Sequence, residues 1–269
     1  MPKPSPTTPN TSVFLDTSLP NTARIFDYLA GGNANFQADR QAAEAMLKLL
    51  PSLRKWVRLR RAFIQEAAYR LYEEGFRQFL DLGSGMPADD QIHAFAPEAR
   101  VLYSDINPVA VSYGNSLFGD LDHVDYIRGN ATEIEELVNS NAVKKLIYPN
   151  EKVAIGLNGL VLFLTPEENK KLAQYLYNWA SDDSKLFLVF QTHGAIQNMA
   201  AYETFLEIAS SAFLPIRLYT LEENLDMMHP WKPSLLEPIT TFLGLPEDFI
   251  KKEDREGIEM AFYAVILEK

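Results

Sequence analysis

Phe79-Leu80-Asp81-Leu82-Gly83-Ser84-Gly85-Met86-Pro87 joins a short apolar segment to a Gly-x-Gly turn. The segment Gln78–Leu82 predicts a buried strand, because it is mostly apolar and ends at a glycine. Glycines in such a turn let the backbone adopt positive φ angles and approach a ligand closely. A strand that enters this kind of turn is typical of folds that bind a nucleotide-like ligand at the carboxyl end of a parallel sheet.

The glycine turn alone is compatible with two kinds of ligand. The spacing Gly83-x-Gly85-x-x-Ala88 also matches a dinucleotide fingerprint. Asp81 favours S-adenosylmethionine, because a carboxylate there would repel a diphosphate but suits a sulfonium and an ammonium group. The absence of Gly-Lys-Ser/Thr, together with Pro87, excludes a P-loop. An NAD-dependent oxidoreductase remains the less favoured alternative at this point.

Strand-like and helix-like segments alternate after the turn. Further strands are predicted at Arg100–Asp105, Val124–Arg128, 153–157 and 185–191, with helices at Pro108–Phe118, 133–146 and 166–180. Such alternation, with near-continuous apolar strands, indicates a parallel sheet covered on both faces. After a predicted helix at 199–213, residues 216–219 and 258–268 predict two last strands, which suit an antiparallel pair that finishes the sheet.

The first quarter of the chain has a helical pattern instead. Helices are predicted at 23–30, 39–50 and from about 52 to 74, where Gly75 ends the last one. We predict four regions: a flexible tail (1–12), a helical cap or lid (13–75), a core (76–269) and, within the core, a helical insertion (about 221–250). The fold class is therefore α/β, with the class I methyltransferase (Rossmann-like) layout: a seven-stranded, mostly parallel sheet, an antiparallel terminal strand pair and an N-terminal helical cap.

Polar residues follow the predicted strands where a nucleoside-type ligand would lie. Asp105 can accept hydrogen bonds from both ribose hydroxyls, in NAD and S-adenosylmethionine alike, although a helix cap is the structural alternative. Asn130 can accept from an adenine amino group, with a plain turn as its alternative, and Asn158 would lie near the transferred methyl group. The cofactor set predicted on the core comprises Asp81, Gly83, Ser84, Gly85, Asp105, Ile106, Asn107, Asn130, Ala131 and Asn158.

A second block of sequence lies ahead of the glycine turn. It reads Asp16-Thr17-Ser18, then Ala-Arg-Ile-Phe-Asp-Tyr-Leu-Ala-Gly-Gly over residues 23–32, then Asn-Phe-Gln-Ala-Asp-Arg over residues 35–40. Together with the turn, it resembles the DTS…AR-x-YDY-x-x-GG-x-x-NF-x-x-DR signature of a bacterial S-adenosylmethionine-dependent methyltransferase family, formerly a domain of unknown function. The resemblance covers about residues 14–195, with Phe26 in place of the usual tyrosine. It implies S-adenosyl-L-methionine as cofactor and S-adenosyl-L-homocysteine as product.

The polar side chains of that block suggest a lid over the cofactor. We predict that Arg24 meets the methionine carboxylate, with Tyr28 and Asn35 near the methionine end; the alternative is a helical brace in which Arg24 and Asp27 pair internally. Methyl transfer needs a base only if the acceptor has a proton to lose, and His193 and Tyr28 are the candidate catalytic residues. A protein that only binds or senses S-adenosylmethionine or its product is the alternative function.

Composition narrows the function further. The chain has no cysteine and four dispersed histidines, so we expect no disulfide, thiolate or metal site. A net charge of −11 argues against nucleic acid as a partner. No apolar run reaches membrane-spanning length. We expect a cytoplasmic protein with a small-molecule substrate, and the sequence sets no oligomeric state. One basic run is either a solvated helix face or a surface for an acidic substrate: Arg54, Lys55, Arg58, Arg60 and Arg61.

Overall fold

The computed structural model describes residues 16–193, 199–212, 214–251, 253–255, 258 and 260–269, so the predicted tail over residues 1–12 lies outside it. Three helices form a helical cap ahead of the sheet: α1 (Thr22–Ala30), α2 (Gln37–Leu47) and α3 (Leu53–Glu73). The elements of the core are β1 (Gln78–Leu82), α4 (Ile92–Phe95), β2 (Arg100–Asp105), α5 (Pro108–Phe118), β3 (Val124–Arg128), α6 (Ile134–Asn139), α7 (Asn141–Leu146), β4 (Ala154–Gly156), α8 (Pro166–Trp179), β5 (Lys185–His193), α9 (Met199–Ser211), α10 (Leu221–Met227), β6 (Lys232–Pro238), α11 (Ile239–Phe242) and β7 (Met260–Glu268).

One seven-stranded sheet organises the core, in the order β3-β2-β1-β4-β5-β7-β6. The first five strands are parallel, and β7 runs antiparallel to both of its neighbours, β5 and β6. This confirms the predicted α/β class and the antiparallel terminal pair. The chain builds outward from β1 in one direction through β3, then reverses and continues through β4. Ligands bind at such a reversal, beside the carboxyl ends of β1 and β4.

The sixth strand lies elsewhere than the sequence predicts. Residues 216–219 contribute only an isolated bridge between Tyr219 and Thr192. The strand Lys232–Pro238 falls instead inside the segment 221–250, which we expected to be helical throughout. It is an edge strand with Pro233 near its start and Pro238 at its end. Prolines are tolerated in an edge strand because one side of the strand has no hydrogen-bonding partner. Because prolines argue against a strand, the sequence pattern did not predict one here.

Other element bounds differ from the prediction by small amounts. Strands β1, β2 and β3 and helix α5 have the predicted bounds, whereas β4 is shorter and β5 continues to His193. The helix predicted over residues 133–146 is interrupted at Ser140, whose backbone is extended. Its hydroxyl accepts a hydrogen bond from the Val143 N–H at 3.3 Å and so begins α7 as a separate helix.

Both faces of the sheet are covered by apolar side chains. Alternate residues of β1 point to opposite faces, so Phe79 joins the core beneath α3 while Leu80 joins the core beneath α8. Trp56 of α3 stacks on Phe262 of β7 with ring centroids 4.6 Å apart. The helical cap has its own cluster, in which Ile25 and other apolar residues of α1 and α2 pack with α9. This packing holds α1 beside the carboxyl end of the sheet.

No helix among the described residues is both long and apolar enough to cross a membrane.

Candidate functional site

A cavity of about 780 Å³ lies at the carboxyl ends of the central strands, between the core and the cap. Its wall combines the loops after β1, β2, β3 and β4 with one side of α1 and one side of α3. The core residues predicted to bind the cofactor all lie on this wall: Asp81, Gly83, Ser84, Gly85, Asp105, Ile106, Asn107, Asn130, Ala131 and Asn158. The topology therefore brings together groups that are up to 77 positions apart in the sequence.

The glycine turn after β1 is held in a left-handed conformation. Gly83 and Gly85 have φ angles of +72° and +73°, which residues with a side chain rarely adopt. The N–H groups of Gly83 and Ser84 both donate to the carbonyl of Ser104, at 2.8 and 3.0 Å. A Cβ at Gly83 would contact Leu160 at 3.1 Å, whereas one at Gly85 would meet open space. Gly85 is thus needed for its backbone conformation, and it borders the cavity directly.

Asp105 connects the glycine turn to the loop after β2. Its carboxylate accepts the Gly85 N–H and the Asn107 N–H, one on each oxygen, both at 2.8 Å. Burial raises the pKa of Asp105, and the two backbone donors oppose that shift. The N-cap of α5 is Asn107, whose side chain accepts from the Val109 N–H. Because each carboxylate oxygen keeps a further lone pair, Asp105 can still accept two hydrogen bonds from the cavity.

The adenine side of the predicted site is built differently from the expectation. The side-chain carbonyl of Asn130 accepts from the N–H and the hydroxyl of Thr132, at 3.1 and 2.9 Å, and caps a short 3₁₀ turn. This is the turn alternative, so the lone pair that we assigned to an adenine amino group is engaged locally. Ile106 is 59% exposed and presents an apolar surface where a flat ring could lie.

An unpartnered carboxyl group lies at the end of β1. Asp81 is 6% exposed, and among the described residues its Oδ1 atom has no hydrogen-bond partner. The side-chain amide of Asn158, beside it, likewise has no partner in the described structure. Gly156 makes room for both, since a Cβ there would overlap Asp81 Oδ1 and lie 3.1 Å from Asn158 Nδ2. Burial raises the pKa of Asp81 to about 7, and the nearby side chains of Ser84 and Asn158 oppose that shift. Unpartnered buried polar atoms on a cavity wall mark a place where a ligand completes the hydrogen bonding.

Arg60 of α3 also lines the cavity, and in the sequence it stood out only as one member of the basic run. Its guanidinium lies over the ring of Phe26, 4.8 Å from the centroid, and against Gly159 (φ +80°), where a Cβ would overlap it. Burial lowers the pKa of Arg60 to about 10, and the negative charge of Asp81 opposes this shift. Among the described residues we find no hydrogen bond or ion pair of its guanidinium.

The other members of the basic run are engaged elsewhere or exposed. Arg54 pairs with Glu44 at 3.0 Å, and Lys55 pairs with Asp254. Arg58 is exposed. Arg61 also lines the cavity but forms an ion pair with Asp90. The run is thus neither a uniform solvated face nor a continuous anion-binding surface. Among the described residues, Arg60 is its one member that lines the cavity without an ion pair.

Arg24 does not reach the cavity wall. It is 2% exposed, and its Nε donates to Asp39 Oδ2 at 2.8 Å in a buried ion pair. Its Nη2 donates to the Leu19 carbonyl at 2.7 Å. The structure therefore corrects the predicted contact between Arg24 and a methionine carboxylate. Arg24 points from α1 toward α2, so its guanidinium forms its hydrogen bonds inside the cap.

Tyr28 and Asn35 also act within the cap. The Tyr28 hydroxyl donates to Glu44 at 2.6 Å, and the Asn35 amide donates to Asp27 Oδ2 at 2.8 Å. Neither residue lines the cavity, so the structure corrects their predicted position at the methionine end and matches the brace alternative. His193, the other candidate catalytic residue, is also absent from the described wall and lies near Tyr202, with ring centroids 6.2 Å apart.

Helix α1 nevertheless covers the cavity, through other residues than those predicted. Asn21, Phe26, Asp27 and Ala30 line it. The Asn107 amide donates to Asn21 Oδ1 at 2.8 Å, so the start of α1 is tied to the loop after β2. The start of the block that precedes the glycine turn in the sequence thus contributes side chains to the cavity wall.

Comparison with known proteins gives a family match. A family model described as S-adenosyl methyltransferase matches residues 8–240, a span that contains the cap and all five parallel strands. No curated protein sequence matches the chain.

Solved structures with the same fold were also found. A Thermobifida fusca protein provisionally described as a methyltransferase is 26% identical, with a TM-score of 0.84 over 94% of this chain and 96% of that one. A DUF574 family protein from Streptomyces avermitilis is 23% identical, with a TM-score of 0.82 over 94% and 99%. A geranyl diphosphate C-methyltransferase from Streptomyces coelicolor, crystallised with S-adenosyl-L-homocysteine, shares the fold alone: 12% identity and a TM-score of 0.51 over 90% and 84%.

Proposed function

Because this chain belongs to the S-adenosyl methyltransferase family, we propose that it methylates a small-molecule acceptor inside the cavity that also holds its cofactor. The chain is an S-adenosylmethionine-dependent methyltransferase, with S-adenosyl-L-homocysteine as the product of the cofactor. The observation that carries the proposal is the single cavity of about 780 Å³ in which the nucleotide loops and an apolar end are continuous.

The nucleoside part of the cofactor fits the loops after β1 and β2. In our proposal, Asp105 accepts the ribose hydroxyls with the lone pairs that Gly85 and Asn107 leave free. The exposed side chain of Ile106 supports one face of the adenine ring. The left-handed Gly85 lets the backbone lie against the cofactor without a side chain in between. The methionine part then extends toward Asp81 and the turn after β4.

The acceptor occupies the end of the cavity beneath the cap. Apolar side chains from four separate segments line this end: Phe26, Val57, Ile64, Leu160, Phe163 and Pro215. A concave site of this size, with a few polar groups in an apolar lining, suits a small molecule. Because methyl transfer is an in-line displacement, the protein contributes mainly by holding the acceptor atom in line with the methyl group. Helix α1 provides that confinement.

A label-transfer experiment tests the acceptor class. The enzyme is incubated with S-adenosylmethionine labelled in the methyl group and with the small-molecule, protein and nucleic-acid fractions of a cell extract. We expect label in the small-molecule fraction alone. Substituting Ala30→Phe, which fills the cap side of the cavity, should abolish transfer but leave S-adenosylhomocysteine binding intact, and the matched Ala30→Ser should preserve both. Label in protein or nucleic acid would overturn the proposal.

A further inference from the structure

The acceptor end of the cavity lies where three apolar clusters of the protein meet. Ile64 belongs to the core beneath α3, Leu160 to the core beneath α8, and Phe26 and Phe163 to the cluster of the helical cap. All four side chains are half-buried and line the cavity. Each cluster therefore leaves part of its apolar surface uncovered in the same space. An apolar ligand would remove that surface from water, which is the main driving force for binding in such a site.

Two of these side chains form an aromatic corner. Phe26 of α1 and Phe163 of the 3₁₀ turn Val161–Phe163 have ring centroids 6.2 Å apart and ring planes at 79°. The guanidinium of Arg60 lies over Phe26, 4.8 Å from the ring centroid, and holds that ring from one side. Because aromatic rings prefer offset-stacked and edge-to-face contacts, two nearly perpendicular rings can give a third ring one contact of each kind. An aliphatic chain would cover the same area without using this geometry.

The charge of the cavity wall disfavours an anionic acceptor. The described cavity-lining residues include five acidic side chains and two arginines: Asp27, Asp81, Asp90, Asp105 and Glu168, with Arg60 and Arg61. Arg61 is paired with Asp90. Burial lowers the pKa of Arg60 and the negative charge of Asp81 opposes that shift, so the charge of this arginine is also partly balanced. An anion would therefore meet a negative potential, and a cation would lose its hydration among apolar side chains. The wall suits an uncharged molecule.

We propose that the methyl acceptor is an uncharged aromatic molecule and that Phe26 and Phe163 determine this specificity. The acceptor ring packs into the aromatic corner, against the face of one phenylalanine and the edge of the other. Leu160 extends the apolar contact toward the cofactor end, since it lies where a Cβ of Gly83 would contact it at 3.1 Å. This assignment rests on the proposed function, which places the acceptor beneath the cap.

The aromatic corner joins the cap to the core. Phe26 belongs to α1, whereas Phe163 follows β4. The start of α1 is tied to the loop after β2 by the Asn107 amide, which donates to Asn21 Oδ1 at 2.8 Å. Neither ring alone makes the corner, so each should contribute separately to the preference for an aromatic acceptor.

Binding of three small probes to the protein saturated with S-adenosylhomocysteine tests the proposal. The probe 2-naphthol is aromatic and uncharged at neutral pH, 2-naphthoate is its anionic counterpart, and 1-octanol is an uncharged aliphatic alcohol. Calorimetry at neutral pH measures each affinity. We expect 2-naphthol to bind at least about tenfold more tightly than either of the other probes, because only 2-naphthol combines ring contacts with the absence of charge.

Substitutions at the aromatic corner separate ring geometry from apolar area. Phe26→Leu and Phe163→Leu each keep an apolar side chain but remove a ring. Each should weaken 2-naphthol by about 3- to 10-fold and 1-octanol by less than about twofold, because one aromatic contact is lost. Phe26→Tyr keeps the ring and should retain the preference. Phe95→Leu, at a half-buried phenylalanine outside the described cavity wall, is the matched control and should leave the ratio of the two affinities unchanged.

Each contrary outcome has a distinct meaning. If the protein binds S-adenosylhomocysteine but binds 2-naphthoate or 1-octanol as tightly as 2-naphthol, or binds none of the three probes, the inference is overturned while the methyltransferase assignment stands. Equal weakening of 2-naphthol and 1-octanol by the two leucine variants would overturn it as well, since the rings would then supply apolar area alone. If the wild-type protein does not bind S-adenosylhomocysteine, the proposed placement of cofactor and acceptor fails and the inference fails with it.

Discussion

Replacing Asp81 with asparagine is predicted to stabilise the unliganded protein even though it weakens cofactor binding. The carboxyl group is 6% exposed, and its Oδ1 atom has no hydrogen-bond partner among the described residues. Burial raises its pKa to about 7 from the ordinary value of 3.8. The ionised form is therefore unfavourable in the folded state. Asparagine has nearly the same shape without the charge, so it should remove that penalty.

The pKa shift sets the size and the sign of the effect. Because the folded carboxyl holds its proton to higher pH than the unfolded one, the free energy of unfolding falls as the pH rises from about 4 to about 7. At roughly 1.4 kcal/mol per pKa unit, a shift of about three units corresponds to at most about 4 kcal/mol above pH 7. Burying the asparagine amide offsets part of this gain, so we expect about 1–3 kcal/mol of added stability at pH 8.5. Well below the ordinary pKa of 3.8 the carboxyl is protonated in both states, and the gain should disappear.

Urea denaturation of the two proteins at pH 5, 7 and 8.5 checks the prediction. The difference in unfolding free energy between Asp81→Asn and wild type should grow across this series. Asp120→Asn, at an exposed carboxylate, serves as the control and should show no such growth. A difference that stays constant with pH, or an Asp81→Asn protein that becomes relatively less stable at high pH, would refute the idea that an uncompensated charge is held at this position.

Two further substitutions have definite expected outcomes. Arg24→Met removes the ion-pair partner of the buried Asp39 carboxylate and should lower the free energy of unfolding by about 3–5 kcal/mol, measured by urea denaturation. In the folded variant, the ratio of S-adenosylhomocysteine affinity to 5′-methylthioadenosine affinity should be unchanged. A changed ratio would show that Arg24 contacts the cofactor. Gly156→Ala places a Cβ in overlap with Asp81 and 2.9 Å from Phe187, so it should cost about 1–3 kcal/mol and weaken cofactor binding at least tenfold by calorimetry. Normal affinity in Gly156→Ala would show that the space beside Asp81 is not used by the ligand.

The parts of the fold that the sequence predicts well are those where local pattern and tertiary environment agree. Strands β1, β2 and β3 are buried and end at glycine or polar residues, and their bounds follow directly from that pattern. Strand β6 does not show this pattern, because it is an edge strand that contains prolines. It is a strand because it pairs with β7, a contact that the local sequence does not reveal. The local hydrogen bonds of Asn130 are similarly decided by the turn that follows it.

The charged groups of the site show where sequence reasoning fails. Arg24 and Arg60 both lie on helices, and nothing local to Arg24 reveals that Asp39, on the next helix, neutralises it. The position of Arg60 in the cavity could have been predicted from the spacing of residues along α3. Five residues of α3 face the cavity at helical spacing: Val57, Arg60, Arg61, Ile64 and Gln65. A basic residue on the same helical stripe as buried apolar residues is a better candidate for a ligand contact than one in an isolated polar motif.

The most direct test of the central claim is calorimetric titration of the purified protein with S-adenosylmethionine, S-adenosylhomocysteine and NADH, repeated on Asp105→Asn. Asparagine keeps one acceptor for the backbone donors of Gly85 and Asn107 but loses the charge that faces the ribose. We predict saturable binding of the two adenosyl ligands, no binding of NADH, and affinities at least about tenfold weaker in the variant, since hydrogen bonds to a charged group contribute about 1.5–3 kcal/mol. Preference for NADH, or adenosyl binding that is unaffected by Asp105→Asn, would contradict the assignment of this cavity to the cofactor.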